Sequence, residues 1–233
     1  MTIEPQALRE RTDSRIFLAG VGGAGIFVLV LALIDVLTGE TRDWRSIINE
    51  DSPINSMTAL FLVVAGAFAA KVSWRILGQR DGYGNRAMRW VWPCIAVAFL
   101  FGGLDEFFEI HEWIGAHTHV PAAIEKTSEG GQNRWFQGLN AVLTLYVSGA
   151  WAAFFLVRTL LRLSAYSFNS FLYGLGFHSI AWVCETFFQW TENLPKPWIY
   201  VVYLEETSEL FGCLFFALAM ILLARNLETR SPG

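Results

Sequence analysis

Residues 88–114 read MRWVWPCIAVAFLFGGLDEFFEIHEWI. From Trp90 to Leu104 no residue is charged; then Asp105, Glu106, Glu109, His111 and Glu112 crowd into a few turns. The whole stretch is long enough to cross a hydrocarbon core of about 30 Å as a helix. In lipid only helices and closed barrels satisfy their backbone hydrogen bonds. Barrel strands are shorter and alternate polar with apolar residues, which this stretch does not.

The same design recurs on both sides of it. Apolar runs at 16–38, 54–77, 88–114, 135–160, 167–190 and 198–224 are separated by short charged connectors. The expected fold is all-α: a single integral membrane domain, residues 1–233, with six transmembrane helices. Composition agrees. Charged residues make up 16% of the chain, against about 25% in soluble domains, and mean hydropathy is +0.39. Glycines at 20, 22, 23 and 25 suit close packing of the first span. Ser52-Pro53 reads as an N-cap followed by proline in the first turn of the second. Residues 1–15 are charged and the run after them is as long as a full span, so no cleavable signal is expected.

Orientation follows from the basic residues. With both termini inside, 12 of the 17 lysines and arginines fall on the cytoplasmic side and 5 outside: Arg42, Arg45, Lys126, Arg134 and Lys196. Trp74, Trp90 and Trp92 fall at inner span ends, and Trp113, Trp135, Trp190 and Trp198 at outer ends, where an amphipathic ring sits best. Only Trp151 and Trp182 lie well inside a span. The expected location is the inner (plasma) membrane of a bacterium, with the lipid bilayer as the first partner. No basic cluster points to nucleic acid. Cys94, Cys184 and Cys213 lie in apolar segments and read as small buried hydrophobes.

The chemistry suggested is that of acids at membrane depth, which cost free energy and mark functional candidates. Beside the third-span acids stand His178 and Glu185 in the fifth span, and Glu205, Glu206 and Glu209 in the sixth. Given the alternating directions of the spans, all fall in one layer nearer the outer, periplasmic face. At about 100° per residue, Asp105, Glu109 and Glu112 share an arc of roughly 60°, with Glu106 at its edge and His111 pointing elsewhere. His178 and Glu185 share a face, as do Glu205 and Glu209. Clustered carboxylates need a cation or protonation.

Three readings stay open. The first is one or two divalent cations bound by Asp105, Glu109, Glu112, Glu185, Glu205 and Glu209 with His178 or His111, extending to a metal-dependent enzyme acting on a lipid or apolar substrate. The Glu-x-x-His spacing of ferritin-like di-iron bundles is absent. The second is a proton or cation relay, which needs polar groups in the inner half that the sequence scarcely supplies. The third is a non-catalytic subunit of a larger membrane assembly holding pigment or quinone. Bland alternatives exist residue by residue: His178 bonding a neighbouring helix, His117 and His119 in a solvated loop, Asp35 reaching the interface. Glu185, deep in its span and without an acidic neighbour, is the hardest to explain as incidental. No HExxH, CxxC, phosphate loop or nucleophile elbow is present.

Leu104-Asp105-Glu106-x-x-x-x-His111-Glu112 and Glu205-Glu206-x-x-Glu209-Leu210-Phe211-Gly212, with the acidic approach Glu50-Asp51-Ser52-Pro53, resemble elements of uncharacterised multi-pass bacterial membrane proteins. The resemblance implies the topology and a shared acidic site, and no reaction.

Overall fold

The computed structural model describes residues 5–38, 53–78, 86–108, 110, 138–188 and 199–230. They form six helices and, among the described residues, no strand: α1 (Pro5–Thr38), α2 (Pro53–Gly78), α3 (Arg86–Phe108), α4 (Gly138–Leu161), α5 (Ala165–Phe188) and α6 (Ile199–Arg230). Five of these contain runs long and apolar enough to cross a membrane, which makes the chain a multi-pass membrane protein. The exception is α5, where Ser167, Asn169, Ser170, His178 and Ser179 dilute the apolar character.

α6 is the hub. Its apolar run is 83% buried inside the protein, whereas that of α1 is 6% buried. α6 packs against α5, α2 and, more lightly, α1; α3 leans on α2, and α4 on α5, with only a sparse contact between α3 and α4. Helices adjacent in sequence pack antiparallel, whereas α2 and α6 run side by side in the same direction, Lys71 meeting Glu228 near their ends. Along α5 and α6, Ser167 donates a hydrogen bond to the Ala219 carbonyl at 2.8 Å, Phe171 meets Phe216, and His178 meets Cys213. α5 therefore lies at the same depth as α6 despite its polar residues.

Small residues allow the closest approaches. A Cβ on Gly103 of α3 would stand 3.0 Å from the Ala59 carbonyl oxygen of α2, and one on Gly66 of α2 would stand 2.6 Å from Leu100. In lipid, association of helices depends on such packing because apolar surface gains nothing by leaving lipid for protein. The glycines of α1 behave differently: a Cβ on Gly22, Gly23 or Gly25 would meet nothing within 4 Å. Their expected role in close packing is not seen among the described residues; Gly20, against Leu218, is the one that packs.

Two helices outrun their expected spans at one end of the bundle. α1 begins at Pro5 and α6 continues to Arg230. The extensions hold each other: the Asp13 carboxylate accepts hydrogen bonds from Arg225 at 2.8 Å and from Asn226 at 3.0 Å, and Ser164 from the α4–α5 turn reaches it at 3.5 Å. Lys71 of α2 pairs with Glu228 at 2.6 Å. The start of α1 and the end of α6 thus share one end of the bundle.

Candidate functional site

Toward the other end, α2 to α6 surround a cavity of about 720 Å³. Five helices build its polar end. α3 supplies Asp105 and Glu106; α6 supplies Glu205, Glu206 and Glu209; α2 supplies Asn55 and Thr58; α4 supplies Tyr146; α5 supplies His178. The antiparallel order is what brings them level, since α3 and α5 approach this end while α2, α4 and α6 leave it.

Asp105, Glu205, Glu209 and His178 line the same cavity. Asp105 is 3% exposed and Glu205 7% exposed. Glu109, His111 and Glu112 lie outside the described residues, as does the side chain of Glu185, whose backbone belongs to α5. The connector bases Arg42, Arg45, Lys126, Arg134 and Lys196 lie outside them too. The described lining contains five carboxylates and no lysine or arginine. Among the described residues no three Asp, Glu, His or Cys side chains are grouped so as to hold a metal ion.

Other lining residues were not singled out by sequence reasoning. The Tyr146 hydroxyl donates a hydrogen bond to the Asp105 carboxylate; a phenol within an apolar span usually has such a partner, and that was the available signal. Thr58 is 1% exposed, and its hydroxyl has no hydrogen-bond partner among the described residues. Cys213, read as a small hydrophobe, has its sulfur 3.3 Å from His178 Nε2. The His178 ring also stacks on Phe216, with centroids 5.2 Å apart and planes 14° apart, and rests on Gly212, where a Cβ would come within 2.8 Å of the ring. His178 is thus a positioned part of the wall. The two mid-span tryptophans lock α4 to α5: Trp182 donates to Thr144 Oγ1 at 3.0 Å and Trp151 to Ser179 Oγ at 3.2 Å.

Away from the acids the cavity becomes apolar. It follows α3 back to Trp90 and α4 down to Leu156, with Phe99, Phe171 and Phe216 behind. From Asp105 to Trp90 the helix rise amounts to about 22 Å. Several residues on its α3 and α4 sides, including Cys94, Ala98, Phe101, Leu145 and Gly149, are exposed.

An all-helical membrane bundle enclosing a cavity, acidic at one end and apolar along the rest, is the class these features define. The chain belongs to the family described as a domain of unknown function, DUF8692, whose model matches residues 11–223. No curated protein and no solved structure matches it.

Proposed function

We propose that this chain is a protein of the bacterial inner membrane that crosses it six times, has both termini in the cytoplasm, and binds a cation at the acidic, periplasmic end of its cavity. The observation that carries the reading is the arrival of acids from two helices, Asp105 and Glu106 on α3 and Glu205, Glu206 and Glu209 on α6, at the wall of one cavity. Carboxylates brought together out of bulk water attract a cation or hold protons. The orientation rests on the excess of basic residues at the end where Asp13 meets Arg225. A reporter fused to the C-terminus that works only in the cytoplasm tests it.

A divalent metal is one such cation. Its ligands would be Asp105, Glu205 and Glu209, completed by Glu109, Glu112 and Glu185, with His178 or His111 as the nitrogen donor; oxygen-rich sets of this kind suit hard divalent ions. A metal so held would polarise a carbonyl or phosphoryl oxygen of a lipid or apolar substrate. The test is manganese titration of protein purified without chelator, followed by electron paramagnetic resonance, together with elemental analysis. Wild type should bind, and Glu205→Gln combined with Glu209→Gln should weaken binding by about tenfold or more, equivalent to about 1.4 kcal/mol. Equal binding by wild type and the double variant would sink the reading.

A further inference from the structure

We infer that the cation this cavity takes is the ammonium headgroup of a single-chain amphiphile, which enters from the bilayer between α3 and α4. The inference rests on the cation-binding reading above and names the ligand class.

The cavity is a slot of about 720 Å³, within the range of pockets that enclose small ligands. It extends about 22 Å along α3, far beyond what an ion or a polar metabolite needs. Its far part is lined by Phe99, Ala153, Leu156 and Phe171, a surface suited to a hydrocarbon chain.

Among the described residues, α3 and α4 meet only sparsely. Cys94 and Ala98 on α3 and Gly149 and Ala152 on α4 are exposed as well as lining, and all four are small. A Cβ added at Gly149 would meet nothing within 4 Å. The seam between the two helices is therefore an opening toward the lipid side of the bundle, through which a chain can slide without leaving an apolar medium.

One polar group in the wall is orphaned. The Thr58 hydroxyl is buried, lines the cavity, and has no hydrogen-bond partner among the described residues. Leaving such a group unpaired is unfavourable, so the site is short of a hydrogen-bond partner at its polar end. A primary ammonium carries three N–H donors and can give one to the Thr58 oxygen and the others to carboxylates. Those acceptors need only stand at hydrogen-bond distance from the nitrogen, about 2.7–3.2 Å. A phosphate headgroup is disfavoured because it would meet carboxylates of its own sign.

The experiment uses the full chain in lipid nanodiscs. The probe is a long-chain primary alkylamine carrying a photoactivatable diazirine on the chain, with the alkyl phosphate and alcohol of equal length as comparators. After irradiation, labelled peptides are mapped by mass spectrometry. The expected result is labelling at the α3–α4 seam, about tenfold stronger with the amine than with the phosphate, a difference of about 1.4 kcal/mol. Gly149→Phe, whose side chain starts in open space, and Ala98→Phe should each reduce seam labelling about tenfold. Thr58→Val should reduce it without moving its location. Labelling spread evenly over lipid-facing positions such as Leu29 and Leu33 of α1, or indifferent to Gly149→Phe and Ala98→Phe, would overturn the inference. Manganese binding without amine labelling would overturn it too while leaving the cation reading standing. Seam labelling equally strong with all three headgroups, and unchanged by Glu205→Gln, would keep a chain-binding slot but discard both the ammonium and the cation reading.

Discussion

The Asp13 carboxylate and the Arg225 guanidinium meet at 2.8 Å across 212 residues of sequence. Asn226 donates to the second carboxylate oxygen at 3.0 Å, so one buried acid ties the start of α1 to the end of α6. α1 has few other attachments, because its apolar run lies largely outside the protein interior. Asp13→Ala should therefore cost roughly 1–3 kcal/mol and loosen α1 before the rest of the bundle. Hydrogen exchange would show it as faster exchange confined to α1; uniform protection in the variant would contradict the assignment.

Gly103 and Gly22 make a matched pair. At Gly103 a Cβ would press on the Ala59 carbonyl oxygen at 3.0 Å and on Val63 at 2.9 Å, whereas at Gly22 it would meet nothing within 4 Å. Gly103→Ala should lower stability by about 1–3 kcal/mol through overpacking, and Gly22→Ala should change it little or raise it slightly. Equilibrium unfolding in mixed micelles compares them. Similar midpoints for the two variants would count against the close α2–α3 contact.

Tyr146→Phe removes the phenol that donates to buried Asp105. The expected loss is about 1–3 kcal/mol. A double-mutant cycle with Asp105→Asn should give a coupling of roughly 0.5–3 kcal/mol, the range of directly bonded pairs. Strict additivity would show that the two groups act independently.

Thr58→Val is nearly isosteric and removes a buried hydroxyl without a partner among the described residues. Ligand-free protein should gain about 1 kcal/mol or stay unchanged, while amine retention falls. Stability and binding moving in opposite directions is common where a site is kept at the expense of the fold. A variant that is both less stable and equally retentive would place the hydroxyl in an ordinary structural role.

Much of the architecture was readable in advance because membrane helices announce themselves by length and charge segregation. The alternation of connectors placed Asp105, Glu205 and Glu209 at one level, and the cavity wall holds all three. The helix ends at Pro5 and Arg230 were less legible: the extensions depend on a polar cluster joining residues 13, 164, 225 and 226, which periodicity within one helix does not reveal. Tyr146 and Thr58 escaped notice for a related reason. A hydroxyl in a span can bond its own helix, as Ser179 does to the Leu175 carbonyl at 2.8 Å, and nothing in the local sequence distinguishes that case from a cavity-facing one. Trp151 and Trp182, well inside their spans, gain their reason only when α4 and α5 are seen side by side.

The position of α6 at the centre has a consequence for biogenesis. The helix around which α2 and α5 close is the last of the described helices to leave the ribosome, so the earlier ones enter the bilayer before the element they pack against exists. Assembly of the bundle must then wait for this late arrival, with half-formed seams temporarily faced by lipid. Nascent chains stalled ahead of residue 199 should accordingly be the protease-sensitive species, and release past that point should bring protection in a single step.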